Sequence, residues 1–201
     1  MTSPPRKYDF LAAFLTYLIP GLGQVMQGRI GKGVLYFVCL YGLFFYGLYL
    51  GNFKNVWLAS TSNLPPVQTP IIGGELPGLA RDLSYRKEFL AQFWVGAAAW
   101  PAVAQYLSTE PIPREMAKDE AWNPPAHPIL GHYMQAPSEA ELNKWQRNTN
   151  TTWDLGWVFT VIAGVLNVLV IYDALAGPLV REDMNPDGTP KTPATPTGGA
   201  K

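Results

Sequence analysis

An uncharged run of 21 residues, from Gly33 to Phe53, constrains this chain more than any other feature. As an α-helix it would be about 30 Å long, which is the thickness of the hydrocarbon core of a bilayer. Such a helix is apolar on every side, so it offers no polar face to water. The alternative is a buried helix of a soluble protein, but 201 residues are too few to surround several such helices. The run therefore predicts a transmembrane helix.

Three further apolar runs extend this prediction to an all-α membrane protein with four transmembrane helices. Leu155 to Gly177 contains 23 residues with one carboxylate, and the Gly177-Pro178 pair predicts its end. Phe89 to Leu107 contains 19 uncharged residues, and its small side chains would allow close packing inside the bundle.

The remaining run, Phe10 to Met26, spans a bilayer only if its helix continues through Pro20. A helix that ended at Ile19 would cross about half of the hydrocarbon core. We therefore expect a kinked or re-entrant first helix that forms a hairpin with the second. The alternative is a cleaved signal peptide, since basic residues precede the run and Gly21-Leu22-Gly23 is a small-x-small site without alanine.

The runs divide the chain into six segments. The loops contain many prolines, which exclude long continuous helices there, and Ser138 with Glu141 forms a capping box that predicts one short helix. Lys and Arg are more numerous on the side of the termini, which favours cytoplasmic termini. The segments are an N-terminal transmembrane hairpin (1–53), a Pro-rich loop (54–87), a third transmembrane helix (88–108), a Pro-rich loop with a short helix near 139–148 (109–153), a fourth transmembrane helix (154–178) and a disordered tail (179–201).

Composition excludes several classes of function. The chain has 15 basic and 15 acidic residues, so a net charge of zero provides no electrostatic basis for binding nucleic acid. Its one cysteine, Cys39, can form neither a disulfide framework nor a cysteine-based metal site. We expect the lipid bilayer, other membrane protein subunits or a second copy of the chain as partners.

The segment IPGLGQVMQGRIGKG, residues 19–33, is superficially similar to a phosphate-binding loop. A Walker loop requires glycine where Met26 stands and Ser or Thr where Gly33 stands, and the dinucleotide motif also fails at Met26. We therefore predict a hairpin corner, with no cofactor. Arg29 and Lys32 would lie at the headgroup level, with Asp154 as their partner. The corner residues are Pro20, Gly21, Gly23, Gly28, Gly31 and Gly33.

Polar residues inside an apolar span are functional candidates by default. We expect Asn167 to form a hydrogen bond between helices, which is the structural reading of a buried amide. We expect Asp173 to pair with Arg181, or with Arg6 and Lys7. In the transport alternative, Asn167, Asp173 and Gln105 line a path through the bundle.

His127 and His132 are the only histidines, and their spacing of five residues does not place both on one face of a helix. With Asp119 or Glu120 they would form the metal site of a membrane-bound enzyme; the alternative is that they are ordinary loop residues. No serine lies in a nucleophile elbow. We predict no catalytic residue and no metal ligand.

Two stretches resemble known families. PGLGQVMQGRIGKG followed by an aromatic span resembles the hairpin of bacterial proteins similar to the two-transmembrane-helix domain family. Residues 154–174 and 92–105 resemble an uncharacterised multi-pass bacterial membrane family of planctomycete type, a domain of unknown function. The resemblance implies a bacterial cytoplasmic (inner) membrane location and assigns no activity. We expect a non-enzymatic scaffold, assembly factor or accessory subunit of a membrane complex, with a transporter or channel component and a metal-dependent enzyme as alternatives.

Overall fold

A computed structural model describes residues 8–58, 68–69, 74–75, 78–108, 125–147 and 151–177. This part of the chain is mainly helical. A 3₁₀ turn spans Ala97–Ala99, and two short strands, β1 (Gln68–Thr69) and β2 (Gly74–Glu75), pair antiparallel. The helices are α1 (Phe10–Leu18), α2 (Leu22–Met26), α3 (Ile30–Leu50), α4 (Gly78–Tyr85), α5 (Lys87–Phe93), α6 (Trp100–Ser108), α7 (Glu139–Arg147) and α8 (Thr151–Ala176).

Two helices, α3 and α8, are long and apolar enough to cross a membrane. They are antiparallel and pack closely through glycines. A Cβ on Gly47 would lie 2.7 Å from the Gly156 carbonyl oxygen, and one on Gly156 would lie 2.8 Å from the Gly51 nitrogen. We name the two ends of this helix pair after residues of α8: the Asp173 end, where α3 begins and α8 ends, and the Asp154 end, where α3 ends and α8 begins.

The first apolar run forms a helical hairpin, which together with Gln27 we call the first hairpin (residues 10–27). Helix α1 ends at Leu18, and Gly21 adopts the left-handed conformation (φ 86°) that lets α2 return. The Asp9 backbone N–H donates to the Leu175 carbonyl oxygen at 3.0 Å. The Gln27 side chain donates to the Ala174 carbonyl oxygen at 2.8 Å. Both feet of the hairpin therefore lie at the Asp173 end.

The third apolar run is not the single helix predicted over residues 88–108. It forms a second hairpin (residues 87–108) because the chain breaks between α5 and α6, where Gly96 has a φ of 91°. Pro101 lies in the first turn of α6, where its missing N–H interrupts no helical hydrogen bond. The part of the chain that the structure describes thus has two candidate spans and two broken helical hairpins, and four spans are not confirmed.

The second hairpin enters the bundle from the Asp154 end. The Gln105 side chain of α6 contacts the segment 125–138, which in turn packs against the chain that follows α3 through the Phe53 and Tyr133 rings, 6.1 Å apart. The main apolar core lies in this half of the molecule. Its buried members are Phe44, Leu48, Val56, Leu58, Phe89, Val95, Ala99, Ala102, Met134 and Ala163.

The short helix predicted near residues 139–148 is present as α7. The Ser138 hydroxyl accepts a hydrogen bond from the Glu141 backbone N–H at 3.2 Å, as expected of an N-cap. The Glu141 carboxylate also pairs with the Lys54 ammonium at 2.6 Å, which ties α7 to the end of α3. The predicted tail, residues 179–201, lies outside the described residues.

Candidate functional site: buried amides at the tips and feet of two hairpins

Asn167 lies where the tips of the two hairpins meet. Its side chain is fully buried, and its amide nitrogen donates to the Trp94 carbonyl oxygen at 2.8 Å and to the Thr16 carbonyl oxygen at 3.4 Å. Thr16 belongs to the last turn of α1, and Trp94 is the C-cap of α5. A single carboxamide therefore satisfies open carbonyl groups at the ends of two broken helices.

The tips are in direct contact beside Asn167. The backbone carbonyl of Tyr17 lies so close to Gly96 that a side chain at that position has no room. The Tyr17 ring contacts the Phe93 and Trp94 rings at centroid distances of 5.8 and 5.9 Å. The Trp100 indole N–H donates to the Tyr17 hydroxyl at 3.4 Å. The tip of each hairpin therefore packs directly against the tip of the other.

The feet of the first hairpin are held by an ionic cluster around Asp173. Arg29 contacts both carboxylate oxygens, at 2.8 and 3.0 Å, and Lys32 lies 2.6 Å from one of them. The predicted pairing of Arg29 and Lys32 with Asp154 is wrong, because α3 and α8 are antiparallel and Asp154 lies at the other end. The partners predicted for Asp173, which are Arg181 or Arg6 and Lys7, lie outside the described residues.

Two glutamines of the first hairpin extend this cluster into the bundle. Gln24 is fully buried and donates to the Val170 carbonyl oxygen at 2.9 Å and to the Asp173 carboxylate at 3.2 Å. Its own oxygen accepts from the Thr16 hydroxyl at 3.1 Å. Gln27 donates to Asp9 at 3.2 Å, besides its bond to the end of α8. These contacts join α1, α2 and α8.

Sequence reasoning missed three residues of this cluster: Asp9, Gln24 and Gln27. Asp9 is the N-cap of α1 and accepts from the Ala12 backbone N–H at 3.0 Å. Its signal was available, because an aspartate directly before an apolar run is a typical N-cap. The glutamines lie three residues apart, Gln24 within the first apolar run and Gln27 directly after it, and this spacing places them on one helical face.

The corner residues have different roles. Gly21, Gly23 and Gly33 each lie against backbone or side-chain atoms that leave no room for a Cβ, and Pro20 is buried. Gly28 has a φ of 80°, which favours glycine, although the space around it is open. A Cβ on Gly31 would likewise have no atom within 4 Å. The close approach of α1, α2 and α3 therefore depends on Gly21, Gly23 and Gly33.

In the second hairpin the buried amides have neutral partners. Gln92 is fully buried and donates to the Thr160 hydroxyl at 2.8 Å and to the Asn55 carbonyl oxygen at 3.2 Å. The Asn55 side chain, also fully buried, donates to the Gly47 carbonyl oxygen at 3.0 Å. These bonds connect α5, α8 and the chain that follows α3.

Gln105 does not lie beside Asn167 and Asp173, as a common path would require. It donates to the Gly131 and Tyr133 carbonyl oxygens, both at 3.0 Å, and so holds the segment 125–138 onto α6. The three polar residues proposed for a path are therefore distributed over the hairpin junction and the two opposite ends of the bundle.

Nearby, Tyr106 connects α6 to α4. Its hydroxyl donates to the Asp82 carboxylate at 3.0 Å. Burial, together with the hydrogen bond and the negative charge of Asp82, raises the pKa of Tyr106 above its ordinary value. The hydroxyl therefore stays protonated and able to donate at neutral pH.

The histidines are used within their own turn. The His127 ring nitrogen Nδ1 accepts from the backbone N–H groups of Ile129 and Leu130, both at 3.1 Å. His132 contacts the Gln135 amide oxygen at 2.7 Å. Within the ranges that the structure describes, no group of three or more His, Cys, Asp or Glu side chains could hold a metal ion. Asp119 and Glu120 lie outside those ranges.

Comparison with known proteins identifies an uncharacterised domain. A family of unknown function, DUF6677, matches residues 11–186, which include both hairpins and both long helices. No curated protein and no solved structure matches the chain significantly. The family match covers most of the 201 residues. The chain therefore belongs to DUF6677, a family of unknown function.

Proposed function

We propose that this chain is a multi-pass integral protein of a bacterial inner membrane. The observation that carries the proposal is an inverted distribution of polarity. Asn167, Gln92 and Thr160 are fully buried, whereas many large apolar side chains of α3 and α8 are exposed. Those apolar side chains include Val34, Leu35, Phe37, Val38, Phe45, Leu155, Val158, Ile162, Val165, Leu166, Val168 and Leu169.

This distribution is unfavourable in water and favourable in a bilayer. Soluble monomers rarely expose one large apolar surface, whereas lipid chains solvate it. Broken helices are tolerated at membrane depth only where protein covers their open backbone groups. The contacts of the Asn167 amide with the Trp94 and Thr16 carbonyls meet this requirement.

The positions of the charges agree with this placement. The Arg29–Asp173 pair lies at one end of the α3–α8 pair, and the Lys54–Glu141 pair lies at the other. Long basic side chains at helix ends place their charges at the headgroup level. We propose two membrane-spanning helices, α3 and α8, with the first and second hairpins re-entrant from opposite sides.

Within the membrane, we propose a non-enzymatic role as a scaffold, assembly factor or accessory subunit of a membrane complex. The buried donors of the two hairpins and Asn167 serve the fold, because they bond to backbone carbonyls, to the side-chain oxygens of Thr160 and Gln24, or to the Asp173 and Asp9 carboxylates. The exposed apolar faces of α3 and α8 are then the surfaces on which lipid, other subunits or a second copy of the chain would pack.

Membrane extraction and affinity isolation test this proposal in order. Cell membranes that contain the full chain should retain it through an alkaline carbonate wash, and release into the wash would contradict integral insertion. The chain is then isolated in mild detergent and analysed by mass spectrometry. A stoichiometric partner or a defined oligomer supports the subunit role, whereas a monomer free of partners in repeated isolations would overturn it.

A second candidate, a transport or channel component, is favoured by the junction at Asn167. Transporters commonly place half-length helices from opposite sides in contact near the middle of the bilayer. The test is solute flux in proteoliposomes for the wild-type chain and an Asn167→Leu, Asp173→Asn double variant. If the variant assembles normally but loses a flux that the wild type supports, the transport candidate replaces the scaffold.

A further inference from the structure

A stacked pair, Arg86 and Trp57, lies where the second hairpin begins. Arg86 is the N-cap of α5, and Trp57 belongs to the chain that follows α3. The Arg86 guanidinium carbon lies 3.8 Å from the centre of a Trp57 ring. The pair is therefore at the Asp154 end, next to the last turns of α3.

This pair presents three hydrogen-bond donors without acceptors. Nε and Nη2 of Arg86 and Nε1 of Trp57 are buried, and in the described part of the chain they have no hydrogen-bond partner. The Trp57 side chain is only 7% exposed. Buried donors in folded proteins are nearly always paired, so three together need an explanation.

The charge of Arg86 also has no carboxylate in contact with it among the described residues. Arg29 and Arg81, by contrast, contact the carboxylates of Asp173 and Asp82. Burial lowers the pKa of Arg86 to about 10, and the charge of Glu88 opposes this only in part. A largely buried cation without an anion in contact is costly, and the cost falls when an anion binds to it.

We propose that Arg86 and Trp57 bind an oxyanion of the phosphate type. Nε and Nη2 lie on the same edge of the guanidinium plane, which suits two oxygens of one phosphate. The indole N–H supplies a third donor, and a set made only of donors selects an acceptor ligand. The identity of the ligand rests on the membrane location proposed above. In a membrane, the phosphate nearest to this end of the bundle would be that of a phospholipid headgroup.

Native mass spectrometry of the full chain in detergent tests the site. The probes are phosphatidylglycerol, phosphatidylcholine and inorganic phosphate, each added to delipidated protein. We expect Arg86→Gln to weaken, about tenfold or more, the binding of each probe that the wild type binds, because it removes a charged donor pair. Lys87→Gln removes the same charge from the next, exposed residue and should bind like the wild type.

Two further variants keep the test decisive if Arg86→Gln does not fold. Arg86→Lys retains the charge without the planar fork and should still weaken binding. Trp57→Phe retains the stacked ring without its N–H and should weaken binding by a smaller factor. If Arg86→Lys and Trp57→Phe each bound every probe as tightly as the wild type does, the proposal would be overturned.

The probes also distinguish a lipid headgroup from free phosphate as the ligand. They further separate failure of the phosphate site from failure of the membrane proposal. Retained phospholipid indicates a headgroup site, whereas a rise in melting temperature with inorganic phosphate alone indicates a free phosphate. Absence of both in the wild type would overturn the site. Release of the chain from membranes by carbonate would contradict the membrane proposal while leaving the inorganic phosphate measurement valid.

Discussion

The two hairpins have the same form but are held by different chemistry. The feet of the first hairpin are fixed by charges, with Asp173 in contact with Arg29 and Lys32. The second hairpin is fixed by neutral amides such as Gln92 and by the apolar core around Val95 and Met134. A broken helix can therefore be stabilised by either route, provided that its open backbone groups have partners.

The contact between the two tips should give the largest effect on stability. Gly96→Val forces a β-branched side chain into a backbone with φ 91° and against the Tyr17 carbonyl. We expect it to lower the free energy of unfolding by about 3 kcal/mol or more and to destabilise both hairpins together. The measurement is thermal unfolding in detergent.

Gly42→Ala is the matched control for Gly96→Val. Gly42 lies on α3 with open space around it, so an alanine there should be neutral or slightly stabilising. A Gly96→Val variant as stable as the Gly42→Ala variant would show that the tips are not packed together.

The next largest effect is expected at Asn167. Asn167→Leu removes the donor that serves both Thr16 and Trp94, so two buried carbonyl groups lose a partner. We expect a loss of about 1–3 kcal/mol, measured by thermal unfolding in detergent. Asn167→Asp, which keeps the shape but not the donor, should also destabilise the fold. Val168→Leu, on the exposed neighbour, is the control and should unfold at the wild-type temperature.

The ionic cluster separates the first hairpin from the second. Asp173→Asn removes the carboxylate that Arg29 and Lys32 share, and we expect a loss of about 1–3 kcal/mol and greater proteolysis near the first hairpin. Asp154→Asn is the matched control, because Asp154 is exposed at the other end. If Asp154→Asn were the more damaging change, the pairing expected from sequence would be right and the observed one would be contradicted.

The smallest effect should appear at Gln105. Gln105→Leu leaves the Gly131 and Tyr133 carbonyls without their donor and should loosen the segment 125–138 while the hairpin tips stay packed. We expect faster amide exchange in that segment and a loss of stability of about 1 kcal/mol. Exchange that increases equally in α1 would instead indicate that the hairpins unfold as one unit.

The long helices could be predicted because hydropathy and length are local properties of the sequence. The runs that contain α3 and α8 are recognisable in the sequence because each has about twenty residues with almost no charge. The break in the first run could also be predicted, since Pro20 and the glycines after it interrupt the helix. The N-cap role of Ser138 was also readable from spacing alone.

The partners of the polar residues could not be predicted in the same way. Whether Arg29 meets Asp154 or Asp173 depends on whether α3 and α8 run parallel or antiparallel. That is decided by whether the third apolar run crosses the bundle or reverses at Gly96, which is a property of the assembled bundle. The break at Gly96 likewise depends on the Tyr17 carbonyl, which belongs to a distant part of the chain. From sequence, residues 88–108 are therefore predicted to form one transmembrane helix, whereas in the structure the chain reverses between α5 and α6.

The central claim, two spans with two opposed re-entrant hairpins, is tested most directly by cysteine labelling from each side of the membrane. Single cysteines replace Tyr8, Ile30 and Ile129, all exposed, in a Cys39→Ser background. We predict that residues 8 and 30 label from one side and residue 129 from the other. Labelling of residues 30 and 129 from the same side, opposite to residue 8, would indicate four spans and contradict the account.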